Sequence, residues 1–441
     1  MKKDFWKYVV PSLITFLVTG IYVSVDGFFV GQVVGDIGLA SINMAWPIAS
    51  IILAAGTGIG MGGAINISNH LGAGEKGKAE KTLGNTIMIL VLASITITIF
   101  LLLLGRPLLQ FMGAEGKLLE LSYGYLQILG AGTIFQVIGT GITPLLRNQN
   151  KAWIAMALML ANFAIDTILS GVFVMLLGLG VQGAALATLV GQCIAVVPAL
   201  IILFRKENRV TPSCYRLSKV TVGHIVKAGI PIAGLSIIPS VTIFVINKQA
   251  VVYGGATAVA TYAVISYVLN IGQLFAQGVG EGSQPLISFY YGADDQKSVK
   301  QLRRWTYTLG LVINIVILFA IIILRMLIPK FFGVSKETAS ILHLALPLCA
   351  LSLPLYAASR ITTEYFNAIK KSRYAAIMIY GEALVLLPIC AFTLPLAVSL
   401  NGVWGTIVLV QFILLLVGLF LRIKSRGTIS TDSSSLCDNG G

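Results

Sequence analysis

Apolar stretches of twenty or more residues recur from one end of this 441-residue chain to the other, and no other feature limits its fold so severely. Twelve are delimited, at about 8–32, 39–69, 83–104, 118–143, 152–177, 183–204, 229–252, 258–290, 305–328, 339–366, 375–399 and 402–422. Here they are called spans 1 to 12. In hydrocarbon every backbone N–H and C=O must find a partner within the protein, and runs of this length satisfy that only as helices. Composition agrees: 11% of residues are charged, against about 25% in soluble chains. The expected fold class is an all-α polytopic membrane protein of twelve transmembrane helices, with the lipid bilayer as its surroundings.

The net charge of +14 suggests nucleic acid until its distribution is examined. With a cytoplasmic N-terminus, the inner segments 2–7, 76–81, 147–151, 205–227, 297–304, 370–373 and 422–426 hold 24 of the 31 Lys and Arg. The outer loops hold five, and Lys248 and Arg360 fall within spans. This positive-inside bias puts both termini in the cytoplasm of a multi-pass protein of the cell's inner membrane and excludes a nucleic-acid partner. The start "MKKDFWKYVVPSLITF" has no small-residue cleavage site after it, so span 1 is read as uncleaved. Five scattered cysteines form neither a metal motif nor a disulfide framework.

Shifting the numbering by 220 superposes the two halves. Gly35 falls over Gly255, Ser68 over Ser288, Gly72 over Gly292, Thr143 over Thr363 and Lys151 over Lys371. "GVQGAA" at 180 echoes "GVWGTI" at 402, with the shift grown to 222. Six spans return the chain to its starting side, so the halves are parallel repeats about a pseudo-two-fold axis along the membrane normal. The expected division is an N-terminal lobe at 1–204, a cytoplasmic linker at 205–228, a C-terminal lobe at 229–424 and a disordered tail at 425–441. Two lobes around a central cleft suit alternating access. One chain supplies both, so a monomer suffices.

Two nucleotide-like patterns fall away. "GAGEKGKA" (72–79) ends in Ala79, without the hydroxyl that a P-loop places on magnesium, and no strand precedes it. "GIGMGG" (58–63) lies within a span, where glycines let helices approach closely. No cofactor is expected, and transport is driven by an ion gradient or runs downhill.

Five acids lie inside spans and away from their ends: Asp26, Asp166, Glu281, Glu364 and Glu382. Each costs about 3 kcal/mol to insert, so each needs a reason. Asp26 and Asp166 fall at compatible depth, roughly 12–18 Å inside the outer face. Tyr22 lies one turn from Asp26, and Asn162 one turn from Asp166. Where spans 1 and 5 touch, these residues form an oxygen-rich pocket that holds Na⁺, or a proton shared by two close carboxylates. Ala184 and Thr188 of span 6 face the same pocket. Glu281, with Gln284 nearby, and Glu382 are secondary candidates for substrate or coupling roles. Arg360 and Glu364, four apart, are expected to pair, and Lys248 to snorkel. Pro11 deprives span 1 of a backbone hydrogen bond and is a candidate hinge.

These residues resemble the MATE (multidrug and toxic compound extrusion) transporters over residues 5 to about 424. The carriers are "VDGFFVG" in span 1, "SNHLGAGE" after span 2, "NFAID" in span 5, "GVQGAALAT" at span 6 and "SQPLISFYYGA" at span 8. The aspartate in span 1 is similar to that of the branch containing bacterial damage-inducible (DinF-like) and archaeal members. The resemblance implies a cation site at Asp26, Asn162, Asp166, Ala184 and Thr188, with Tyr22 and Pro11 matching the family's tyrosine and bend-forming proline. It implies antiport, in which Na⁺ or H⁺ enters while an amphipathic, often cationic small molecule leaves. The stretch between Asp166 and Ala184 is about four residues longer than the family's usual pattern.

Three rival readings are weaker. A flippase for lipid-linked saccharides needs a basic cavity, and away from their ends the spans hold only Lys248 and Arg360. An intramembrane aspartyl protease needs a GxGD motif, which is absent, so no enzyme is expected. A non-transporting receptor would accumulate no substrate. A dedicated natural-product exporter stays open within the main reading.

Overall fold

The structure is a computed structural model describing residues 1–112, 114–203, 211–332 and 336–435, except for the side chains of 21–28, 36, 39, 40, 43, 212, 237, 256, 260 and 425–435. The side chains of Tyr22 and Asp26 therefore lie outside the described residues. Everything regular among the described residues is helical. Twelve helices form two six-helix repeats.

The first repeat contains α1 (Lys2–Val34), α2 (Asp36–Gly72), α3 (Lys76–Phe111), α4 (Gly116–Ala131 and Thr133–Asn148), α5 (Ala152–Leu176) and α6 (Gly180–Leu203). The second contains α7 (Lys219–Gly255), α8 (Thr257–Gly292), α9 (Gln296–Leu324), α10 (Lys336–Ala368), α11 (372–397) and α12 (400–424). The basic segments 76–81 and 297–304, expected as loops, are the first turns of α3 and α9. Asp295 helps to start α9 by accepting hydrogen bonds from the Ser298 N–H at 3.0 Å and its hydroxyl at 2.6 Å, which hold its carboxyl below the usual carboxylate range.

Two spans differ from expectation. Span 4 is broken by 61° at Gly132, where the Thr133 hydroxyl turns back to the Leu129 carbonyl. Span 7 begins ten residues early, at Lys219, because the preceding linker is tied down. Asn85 of α3 donates to the carbonyls of Cys214 (2.9 Å) and Arg216 (3.1 Å) and accepts from the Ser218 N–H (2.8 Å).

The backbone repeats as the residues do. Gly35 and Gly255 share one conformation (φ 74, ψ −157 and φ 63, ψ −157) at the α1–α2 and α7–α8 junctions. Positive φ recurs at Gly74 and Asp294 and at Asn150 and Lys370, each pair related by the shift that relates the two halves of the sequence. Close-approach glycines recur too. A Cβ on Gly72 would stand 1.9 Å from the Phe289 carbonyl oxygen, and one on Gly292 would stand 2.0 Å from that of Asn69.

Packing divides the chain differently from the repeat. One compact unit holds 1–240, 278–304 and 367–372; the other holds 241–277, 305–366 and 373–441. The first therefore includes the ends of second-repeat helices that lie beside α1 and α2. Gly58 and Gly62 of the "GIGMGG" stretch meet Gly229 and Ile225 of α7, while Gly60 meets Gly141 of α4. Glycine serves helix contact here, as its mid-helix position suggests.

Candidate cation site

Helix α1 packs along α5. The Phe29 ring lies 3.7 Å from where a Cβ on Gly171 would stand, and Val34 lies 3.1 Å from that of Gly180. The two helices run the same way. Asp26 is three residues before Phe29 and Asp166 five before Gly171, so their Cα atoms differ in height by about 3 Å.

Asp166 is 1% exposed. Asn162, one turn earlier on α5, buries its amide Oδ1, which has no hydrogen-bond partner among the described residues. A buried carbonyl oxygen left in this way costs free energy that a bound cation would recover. Helix α6 comes close because it presents small residues at 184, 188 and 191. Ala184 is buried, and the Thr188 hydroxyl donates to the Ala184 carbonyl at 3.2 Å, so that its oxygen can still accept. A Cβ on Gly191 would stand 3.1 Å from Asn162 Oδ1 and 3.2 Å from Asp166 Cβ. Gly191 was not singled out from the sequence; its spacing from Ala184 and Thr188, seven and three residues, was the available signal. Beyond Asp166, α5 continues as a π-helical turn, Gly171–Leu176. That turn absorbs part of the extra length between Asp166 and Ala184. Asn162, Asp166 and Gly191 are brought together, and an acid beside an amide oxygen suits Na⁺ or a proton. Ala184 lies two turns along α6 from Gly191, at the level of Phe173, whose carbonyl oxygen would stand 2.9 Å from a Cβ on Gly183; Thr188 lies between.

The remaining candidates lie elsewhere. Glu281, on α8, accepts a hydrogen bond from Arg147 Nη1 at 3.2 Å, an ion pair within the first compact unit. Its helix runs unbroken through Pro285. The segment beside it packs on α1 around Pro11: a Cβ on Gly278 would stand 3.0 Å from Leu13 Cα, and one on Gly282 2.8 Å from Val9 Cα. Gln284 is buried and donates to Ser288 at 2.6 Å. Arg147 went unnoticed as a partner because it was counted with an inner loop. Its neighbours Asn148 and Asn150 accept from Ser68 of α2 (2.6 Å) and Tyr8 of α1 (3.3 Å). Arg360 and Glu364 pair at 3.2 Å as expected, Glu382 accepts from Gln411, and Lys248 is exposed.

Comparison with known proteins places these features in context. The MatE family profile matches residues 11–172 and 228–392. The chain is 25% identical over 444 aligned positions to multidrug export protein MepA of Staphylococcus haemolyticus, covering 99% of this chain and 96% of that one. It is 24% identical to the protein of the same name from Staphylococcus saprophyticus, with the same coverage. Among solved structures, a MATE in its straight conformation superposes with a TM-score of 0.91 at 24% identity, covering 96% of each chain. A MOP superfamily transporter from Pyrococcus furiosus Vc1 gives 0.89 at 23% identity, covering 96% of this chain and 95% of that one.

Proposed function

Because this chain belongs to the MatE family, we propose that it is a secondary antiporter that exports amphipathic, often cationic small molecules in exchange for Na⁺ or H⁺. As a member of that family it is a multi-pass membrane transporter and not an enzyme. The export of drugs is carried over from the relatives named MepA. The coupling ion is assigned to Asp26, Asn162, Asp166, Ala184 and Thr188, with Tyr22 one turn from Asp26. The observation that carries this reading is the buried Asp166 beside an Asn162 oxygen without a partner among the described residues, closed on one side by Gly191.

In this reading both termini are cytoplasmic, and the chain works as a monomer in the inner membrane. Residues 1–204 and 229–424 move as lobes joined by the linker 205–228. The empty carboxylates attract a cationic substrate, and the arriving ion neutralises them and releases it. Pro11 is the hinge that lets α1 bend when the site fills, and Glu281 and Gln284, next to that hinge, respond to the bend. An inward monovalent cation gains about 2.3 kcal/mol per 100 mV of membrane potential, enough for export against a gradient of a few tens-fold.

Inside-out vesicles test this. With Na⁺ or acid in the lumen, imposed separately, the wild type is expected to take up ethidium under one gradient, and Asp26→Asn and Asp166→Asn to lose that uptake. No uptake by the wild type under either gradient overturns drug antiport. Full uptake by both variants moves the ion away from the α1–α5–α6 site.

A further inference from the structure

The second repeat holds charge that the site in the first repeat does not use. On α10, Arg360 and Glu364 form a buried pair. On α11, Glu382 opens the π-helical turn Glu382–Leu386 and is half-buried, and Gln411 of α12 donates a hydrogen bond to its Oε1. Tyr356, one turn before Arg360 on α10, accepts a hydrogen bond from Gln277 of α8 at 3.3 Å. All of these residues belong to the second compact unit.

Three observations converge on Glu382. The first is register. The shift that superposes the halves sets Glu382 over Asn162, and α12 meets Glu382 through Gln411 as α6 meets Asn162 through Gly191. Glu382 also opens a π-helical turn, a local widening that concentrates at functional sites, whereas the π-helical turn of α5 begins nine residues beyond Asn162.

The second is the cost of charge. Glu382 is a carboxyl within a span, where its ionised form is costly and a bound proton removes that cost. Arg360 and Glu364 are paired with each other, and Tyr356 is held by Gln277.

The third is the chemistry of Gln411. Its amide nitrogen donates to the carboxylate, while its Oε1 is buried with no partner among the described residues. Rotating the amide by half a turn presents that oxygen to Glu382, where it accepts a hydrogen bond from the protonated acid. A single glutamine thus satisfies both protonation states. Na⁺, which needs several oxygens, gains only one from it.

We propose that Glu382 is a proton-binding site of the second repeat, with Gln411 as its two-state partner. Its part in transport rests on the antiport reading; its proton binding does not.

The test is infrared difference spectroscopy of the purified full-length protein between alkaline and acid buffer, following the protonated-carboxyl C=O band and its shift in D₂O. Glu382→Gln should lose one component of that band, Gln411→Leu should retain it at a shifted frequency, and Asp166→Asn should leave it in place. Na⁺ added at constant pH should not displace it. A Glu382→Gln spectrum identical to wild type overturns the proposal, as does loss of the component to Na⁺. If Glu382→Gln fails to fold, Gln411→Leu decides, and an unshifted band overturns the proposal. Gradient-driven uptake without a Glu382 component defeats this inference alone. A Glu382 component without gradient-driven uptake defeats the antiport reading alone.

Discussion

Gly72 of α2 lies against the backbone of Phe289 on α8, and Gly292 of α8 lies against the backbone of Asn69 on α2. The shift between the halves carries Gly72 onto Gly292 and Asn69 onto Phe289, so the two contacts are one contact made twice. Such reciprocity is what a two-fold relation between repeats produces. It also explains why both helices end in glycine: the partner is a carbonyl oxygen, which cannot rotate away as a side chain can.

Alanine at either position should therefore be costly. Its Cβ would stand 1.9 Å or 2.0 Å from a backbone oxygen, so the helices must move apart. Each single variant is expected to lose about 1–3 kcal/mol. The double variant should lose less than the sum, because the first methyl already separates the pair. Thermal unfolding in detergent reads this out, and a Gly72→Ala protein that unfolds with wild type would refute the close contact.

At the cation site the sensitive position is Gly191. Alanine there places a methyl 3.1 Å from Asn162 Oδ1 and 3.2 Å from Asp166 Cβ, which the site accommodates only by spreading. Gradient-driven uptake should fall about tenfold, corresponding to about 1.4 kcal/mol, and valine should abolish it. Gly223 has nothing within 4 Å of its would-be Cβ, so Gly223→Ala serves as the control. Equal uptake by Gly191→Ala and Gly223→Ala would remove Gly191 from the site.

The ion pair between Arg147 and Glu281 is mostly buried, at 7% and 16% side-chain exposure. Removing either group takes from the other an opposite charge that offsets its burial, so Arg147→Ala and Glu281→Ala should each destabilise by about 1–3 kcal/mol. The double variant should recover part of that loss. Strict additivity of the three unfolding measurements would mean that the two groups do not depend on each other.

Much of this was legible in the sequence because it is periodic. Span length follows from bilayer thickness, and the repeat follows from landmarks at a constant shift. The placing of Asn162 one turn from Asp166 on a single helix face followed from helical periodicity. What escaped was non-periodic. Gly191 is one of 46 glycines, and its spacing from Ala184 and Thr188 marks it far more faintly than its contacts on α5 do. The break at Gly132 depends on a threonine that turns its hydroxyl back on its own helix. The early start of α7 depends on Asn85, far away in the sequence, holding the linker. Arg147 read as a loop charge because its partner lies 134 residues away.

Asn85 is fully buried, and it makes three hydrogen bonds to linker backbone between Cys214 and Ser218. Leucine at this position leaves those groups without their partner, at a cost of about 2–3 kcal/mol. The freed linker should then be cut faster by trypsin at Arg216. Unchanged nicking of Asn85→Leu would show that the linker is held by other contacts.

Ser399, in the turn between α11 and α12, has φ 51 and ψ −134. That region is close to the one Gly255 occupies with φ 63 and ψ −157, and it penalises any residue with a Cβ by about 1–3 kcal/mol. The corresponding turn between α5 and α6 places glycines at its positive-φ positions, Gly178 and Gly180. Serine here therefore stores strain that glycine would release, partly offset by glycine's greater freedom in the unfolded chain, about 0.5–1 kcal/mol. Ser399→Gly should raise the unfolding temperature, and Ser399→Val, which adds branching at the strained carbon, should lower it. The two shifts have opposite signs only if the backbone at this position is strained. A Ser399→Gly protein less stable than wild type would mean that the serine relieves the turn in some other way.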